Sequence, residues 1–370
     1  MIIQETSPIE MASLFVVYDN LSPLDESEGR RGISHFIEHM MGKAVDSLLP
    51  QIHELGISDD FCTNYEHVKA SFSGTADAME KMAPAIVRQI VFSDADCFTE
   101  DDFECERLAI INEITQIFSD TLHETLRECQ QKTFGICGPE GLLDDVRAYT
   151  FDEFKKDYAR IVPHPSRIVY VGPRKIQFPE IEFSESGNFK PIAPGIRNEN
   201  AVEIPKANDE YKTIIFVGTE PIVGNRDYAA MTLAVHMLAG NDESILFERL
   251  RSKEGLVYGC FGTLEPLRNA GIQYFHTGTS AQNIGKVASI MTEILENPER
   301  HLTEKLFAQA RNYFRNTLKA AEILRFCNAN DLVRDGMITY ERDILNIEYP
   351  ELLATMAKYL GHGKIRPFLG

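Results

Sequence analysis

His35, Glu38 and His39 carry the first hint of chemistry. They lie in His35-Phe36-Ile37-Glu38-His39, an H-x-x-E-H pentapeptide within RGISHFIEHMM at residues 31–41. On a helix, positions i and i+4 leave the same face about one turn apart, so both imidazoles point the same way. Glu38, one residue before the second histidine, leans over that face. Two neutral imidazoles with a carboxylate beside them suit a catalytic zinc ion and a general base. Such an ion takes three protein ligands. Asp or Glu is a common third, and 56 acidic residues leave its identity open at this point. The plain alternative is two surface histidines on an amphipathic helix.

The elements that must hold these residues follow from periodicity and capping. Ser13–Tyr18 reads as a strand, residues 20–30 as an acidic turn-rich loop, and Gly32–Met41 as a first helix that Gly42 ends. A second helix is expected over about Val45–Leu55, with Gly56 as its C-terminal glycine. Cys62–Ser73 alternates roughly as one strand. Ala76–Phe92 is an amphipathic helix in which Pro84 predicts a kink or break. The longest helix runs from about Glu100 to Lys132, its start marked by Thr99 and Asp102. On it, Glu106 and Glu113 are seven residues apart and share a face. A short helix follows Thr150, capped by Glu153, and Arg167–Val171 is a strand. Helices beside strands without regular βαβ alternation predict an α+β domain over residues 1–182. Residues 183–205, with Gly, Pro, Ser and Asn and little periodicity, read as a linker.

Residues 206–370 repeat the plan as a second domain. Thr213–Gly218 is a strand, and Asp227–Leu238 and Ser244–Lys253 are helices. Val257–Thr263 and Gly271–Thr277 pair as strands, and helices follow near Ala281–Glu296 and Thr303–Phe326. Two local matches point to duplication. Glu38-His39-Met40-Met41-Gly42 aligns with Val235-His236-Met237-Leu238-Ala239-Gly240, allowing one extra residue. Phe98-Thr99-Glu100 and Glu106-Arg107 align with Leu302-Thr303-Glu304 and Ala310-Arg311. The metal positions then fall on Thr232, Val235, His236 and Thr317, so the repeat keeps the fold and not the metal. Each domain is expected to be a mostly antiparallel sheet with helices packed on it.

Composition sets outer limits. A chain of 370 residues, 44% hydrophobic and 25% charged, can bury two cores. No apolar run approaches the roughly 18 residues of a membrane span. The first residues resemble neither a secretory signal nor a transit peptide. Seven cysteines at 62, 97, 105, 129, 137, 260 and 327 fit neither a disulfide framework nor C-x-x-C pairs. Reduced, mostly buried thiols and a cytoplasmic location are expected. The net charge of −19 is uneven: residues 1–185 carry 34 acids against 16 Lys and Arg, and residues 186–370 carry 22 against 21. Such an acidic half repels nucleic acid and either solvates its own surface or attracts cationic partners.

HFIEH, followed 74 residues after His39 by Glu113 in ERLAIINE, resembles the inverzincin peptidases, the family of pitrilysin, insulin-degrading enzyme and mitochondrial processing peptidase. The resemblance implies that His35, His39 and Glu113 bind one zinc ion per chain and that Glu38 is the general base. It also implies that Glu106 orients a ligand histidine from behind. Gly56-x3-Asp60-Phe61-Cys62-Thr63 sits where the family has an edge strand that pairs with substrate. Thr63 keeps the family pattern, while Asp60 and Phe61 depart from it, so Phe61 reshapes the neighbouring pocket. Residues 239–247, followed by Arg251-Ser252-Lys253-Glu254-Gly255-Leu256-Val257-Tyr258, resemble a second family segment. There an Arg and a Tyr, here Arg251 and Tyr258, hold substrate and the developing oxyanion. At the N-terminus the chain departs from the family's extra leading strand.

The resemblance further implies half of a four-domain clamshell, completed by a homodimer in which Arg251 and Tyr258 serve the partner's zinc site. The implied activity is zinc-dependent hydrolysis of short or unfolded peptides inside a closed chamber, with the acidic half expected to favour cationic ones by charge. Two other readings are a processing protease for one partner protein and a non-catalytic scaffold subunit.

Overall fold

The computed structural model describes residues 1–185, 191–196, 201–204, 210–267, 269–323 and 338–370. They form two compact units. One joins Met1–Gln116 to the stretch that begins at Cys137; the other joins Ile117–Ile136 to the described residues of 191–320 and 338–370.

The first unit contains β1 (Ile2–Thr6), β2 (Met11–Tyr18), α1 (Ile33–Ala44), α2 (Leu49–Glu54), β3 (Ser58–Thr63), β4 (Val68–Thr75), α3 (Ala76–Val91) and α4 (Glu100–Ser119). After α5 (Thr121–Phe134), which groups with the second unit, come α6 (Leu143–Ala148), α7 (Phe151–Ile161) and β5 (Arg167–Gly172). The sheet order is β1-β5-β2-β4-β3, with β1 and β5 parallel and the other pairs antiparallel. Central β2, MASLFVVY, is buried along almost its whole length, as a strand covered on both faces must be. β4 instead buries alternate residues Val68, Ala70 and Phe72. β3 is a sheet edge, and α1 lies beside it.

The second unit follows the same plan. Its strands are β6 (Val202–Glu203), β7 (Tyr211–Gly218), β8 (Cys260–Pro266), β9 (Gly271–Ser280) and β10 (Ile365–Leu369). Their order, β6-β10-β7-β9-β8, reproduces the first sheet position by position, including the one parallel pair, β6 with β10. Its helices include α8 (Asn225–Ala239), α9 (Ile245–Phe247), α10 (Ile284–Glu296), α11 (Glu304–Ile323) and α12 (Tyr349–Tyr359). A π-helical turn, Glu248–Lys253, follows α9. The α+β class and the duplicated, mostly antiparallel sheets expected from the sequence are therefore present.

Several local expectations are corrected. The single strand over Cys62–Ser73 is two, β3 and β4, joined by a turn closed by the Asn64 N–H on the His67 carbonyl at 2.8 Å. The long helix to Lys132 is broken at Asp120, whose carboxylate accepts from the Leu122 and His123 amides and starts α5. Pro84 does not break α3, because Met79, Met82, Ala83, Ile86, Val87 and Ile90 are buried around it and packing outweighs one lost backbone bond. Gly42 lies inside α1, which burial of Met41 and Ala44 carries past it. The second helix is only Leu49–Glu54, followed by Gly56 at a φ of 68°. A leading strand is present: Ile2–Thr6 pairs with β5.

Residues 117–136, assigned from sequence to the first domain, group with the second unit. There the Gln130 side chain donates to the Tyr274 hydroxyl, and Arg366 donates to the Lys132 carbonyl at 2.7 Å. Residues 186–190, 197–200 and 205 of the expected linker, and the expected continuation of α11 to Phe326, lie outside the described residues. Among the described residues no helix is long and apolar enough to cross a membrane. Cys62, Cys97, Cys105, Cys129, Cys137 and Cys260 are free thiols, and only Cys129, Cys137 and Cys260 are buried, fewer than expected. Cys327 lies outside the described residues.

Candidate metal centre

α1 is buried on nearly all sides. Phe36, Ile37, Met40 and Met41 are fully enclosed, with the Phe36 ring 4.6 Å from that of Phe103 on α4. Burying a side chain of that size contributes about 1.5–3 kcal/mol. This packing locks the rotation of α1, and so aims His35, Glu38 and His39 at α4.

Helix α4 brings Glu113 to the two imidazoles. The Nε2 atoms of His35 and His39 are 3.2 Å apart, and Glu113 Oε2 is 3.5 Å from the first and 3.3 Å from the second. Among the described residues, these three are the one group of His, Cys, Asp or Glu arranged to hold a metal ion. The spacing fits the donor set. Ligands about 2.0–2.1 Å from a tetrahedral zinc ion lie about 3.3 Å from one another. His35 is buried, whereas the Glu113 side chain is 45% exposed, which leaves the group open to solvent on one side.

Each histidine is held from behind. His39 Nδ1 lies 3.2 Å from Glu106 Oε2, and His35 Nδ1 lies 3.2 Å from the Glu140 carbonyl oxygen. Both partners accept, so each ring is oriented with Nε2 toward Glu113. Glu38 Oε2 is 4.0 Å from His35 Nε2 and accepts a hydrogen bond from Thr63 Oγ1 at 3.3 Å. Burial raises the pKa of Glu38, against the opposing pull of His39, His35 and Thr63. Burial lowers that of His39, but the bonds to Glu106 and Glu113 outweigh it and lift it to about 9. Hydrogen bonds to His35 and His39 hold Glu113 well below the usual carboxylate range. The three donor atoms thus converge on one point that favours positive charge, as a divalent ion would supply.

The start of α1 is fixed by an acid. Glu26 accepts from the Gly32 and Ser34 amides, both at 2.6 Å, satisfying the first turn of the helix. Burial nevertheless raises its pKa.

Of the expected site residues, His35, His39, Glu113, Glu38, Glu106 and Thr63 are brought together. Phe61, two residues before Thr63 on β3, is half-buried and meets Phe72 edge-on, with ring centroids 5.8 Å apart. Arg251 and Tyr258 lie in the second unit, where the guanidinium sits 5.8 Å from the ring and Tyr258 is 85% exposed, not a core residue. The Glu140 carbonyl and the Glu26 cap escaped sequence reasoning. A main-chain acceptor has no residue signature, and Gly138-Pro139-Glu140-Gly141 signals only a turn.

A family model described as the peptidase M16 inactive domain matches residues 176–314. An uncharacterized zinc protease of Streptomyces coelicolor is 22% identical over 81% of this chain and 70% of its own length. The uncharacterized zinc protease YmxG of Bacillus subtilis is 20% identical over 86% of this chain and 81% of its own length. Among solved structures, a protease from Helicobacter pylori superposes with a TM-score of 0.84 at 14% identity, covering 100% of this chain and 96% of that one. An M16 inactive domain from Pseudomonas fluorescens gives 0.76 at 15%, covering 100% and 94%. Residues 176–314 thus resemble the M16 inactive domain, and the fold of the chain is that of the M16 structures. The segment matched by the inactive-domain model contains Arg251 and Tyr258 and none of His35, Glu38, His39, Glu106 or Glu113.

Proposed function

We propose that this chain is a zinc-dependent endopeptidase acting on short or unfolded peptides. The observation that carries the reading is the trio of donor atoms 3.2–3.5 Å apart with the Glu38 carboxylate beside it. Held by His35, His39 and Glu113, a zinc ion would supply Lewis acidity and bring the pKa of water toward about 7. Glu38 takes the proton of the attacking water and returns it to the leaving amine. Thr63 steadies Glu38 through its hydroxyl, and Glu106 and the Glu140 carbonyl keep the imidazoles turned inward.

Tyr258 donates to the developing oxyanion and Arg251 to a substrate carbonyl, from a second copy of the chain in a homodimeric chamber. These two roles, like Phe61 and Thr63 contacting substrate at the β3 edge, rest on the family resemblance. The acidic first half favours cationic peptides. A non-catalytic scaffold finds support in the inactive-domain match, but that match begins at residue 176, beyond all three donor residues.

Glu38→Gln tests the reading. The variant is expected to bind zinc with wild-type stoichiometry and to lose about 10²–10⁴-fold in peptide hydrolysis. Hydrolysis at the wild-type rate removes Glu38 from the mechanism, and wild-type hydrolysis that persists in excess chelator removes the metal.

A further inference from the structure

The two histidines of the metal centre are oriented by chemically different partners. His39 faces the Glu106 carboxylate, a side chain. His35 faces the Glu140 carbonyl, part of the backbone. A carbonyl only accepts, so its 3.2 Å contact calls for the proton on His35 Nδ1, and in the neutral, metal-binding ring this leaves the Nε2 lone pair on the side of His39 and Glu113. The other tautomer would aim an N–H where the ion is to sit.

That carbonyl is held in place by a crossing of two chain segments at glycine. Gly141 has a φ of 82° and Gly32, which caps α1, a φ of 105°. A Cβ on Gly141 would lie 2.2 Å from Gly32 Cα, 2.6 Å from its nitrogen and 2.8 Å from the Arg31 oxygen, all backbone atoms that cannot swing aside. Hydrogen bonds tie the crossing on both sides. The Leu142 amide donates to the Arg31 carbonyl at 3.1 Å, and the Arg31 amide donates to Asp145 Oδ2 at 2.8 Å. The residue before the crossing is Glu140, and three residues after Gly32 stands His35.

We infer that the Gly32–Gly141 crossing is a positioning device for metal binding: it presses the Glu140 carbonyl against His35 Nδ1 and thereby selects the tautomer that binds. This rests on the metal-site reading above. Gly141 is thus a positioning residue whose effect passes through a main-chain atom, so no substitution of the Glu140 side chain removes it.

Zinc affinity is to be measured by chelator competition for the wild type, Gly141→Ala and Gly135→Ala, with thermal unfolding alongside. Gly135 has a φ of 71° and open space around it, so its variant carries the same left-handed strain without a clash. Gly141→Ala is expected to bind zinc about 10–100-fold more weakly, as loss of an orienting partner does elsewhere, while Gly135→Ala keeps wild-type affinity. Independently of either variant, nitrogen-15 spectra of metal-free wild-type protein are expected to show His35 protonated on Nδ1, its signal assigned by loss in His35→Gln. A folded Gly141→Ala protein with wild-type affinity, or His35 protonated on Nε2 alone, overturns the inference. Wild-type protein that takes up no zinc overturns the metal reading and this inference with it, and is recognised before any variant is made.

Discussion

In the first unit α1 turns His35, Glu38 and His39 toward Glu106 and Glu113 of α4. In the second, α8 carries Thr232, Val235 and His236 at those positions, and α11 carries Ala310 and Thr317. The replacement is a repacking. His236 is buried, stacks on Tyr313 with centroids 4.3 Å apart, meets Phe314 at 5.2 Å, and accepts from Asn241 Nδ2 at 3.0 Å. Burial lowers its pKa, so it serves as a neutral aromatic brick. Thr232 and Thr317 bond back to carbonyls of their own helices.

What both units retain is as informative. Arg107 lies 4.8 Å over Phe103 and donates to the Arg147 carbonyl; Arg311 lies 5.5 Å over Phe307 and donates to the Leu345 carbonyl. Arg107 adjoins Glu106 in sequence, yet its counterpart persists where the metal positions are lost. The pair therefore belongs to the scaffold. Function in this fold rides on a few positions of a helix pair that packs the same way with or without them.

The largest effect should separate the two histidines that align. His39→Gln is expected to abolish zinc binding and peptide hydrolysis. His236→Gln is expected to leave one zinc per chain and cost only about 1–2 kcal/mol of stability, for a stacked ring and one hydrogen bond. Metal analysis and thermal unfolding of both variants decide this; a second zinc per wild-type chain breaks the contrast.

A middling effect should unite the two arginines. Arg107→Ala and Arg311→Ala are each expected to lower stability by about 1.5–3 kcal/mol without changing zinc stoichiometry. Loss of zinc in the first variant at unchanged stability would give Arg107 a part in the metal centre after all.

The smallest effect concerns acid. Asp157 on α7 receives hydrogen bonds from Arg160, Arg30 and Tyr149, which outweigh burial and hold its pKa below the ordinary 3.8. Aligning the capped starts of α7 and α12 puts Thr355, which does not titrate, at the matching place. A pKa depressed on folding gives stability that is complete above the unfolded value and is lost as pH falls through the folded one. Asp157→Asn should therefore lower Tm at pH 7, by roughly 2–4 °C per kcal/mol, with about 1–2 kcal/mol at stake after screening at the exposed arginines. The gap from wild type should narrow below about pH 4. A gap that stays constant down to pH 2 would mean that the carboxylate charge contributes nothing.

Much of this was legible in residue order. His35, Glu38 and His39 were readable because helical spacing is local, and Glu113 because the family motif fixes its distance from Glu106. The duplication was readable from short matches around His39 and Glu106. Illegible features depend on contacts distant in sequence or on atoms every residue possesses. The Glu140 carbonyl is 105 positions from His35 and is main chain. Pro84 stays helical because of what α3 lies against. Asp120 sits in a run of helix-forming periodicity, and only its capping bonds show that α4 ends there.

That break has a consequence for how the chain is born. The strands of the first sheet are complete once β5 has been synthesised, but α5, already made, belongs with β7 and β10, which come much later. During synthesis α5 is an unpartnered helix waiting for a sheet that does not yet exist. Its closure across so long an interval raises the contact order of the second unit and should place its docking late in folding. Cutting the gene within residues 183–205 would not yield two self-sufficient products. The leading fragment would keep a helix it cannot use, and the trailing one would lack the helix that packs on its β7 and β10.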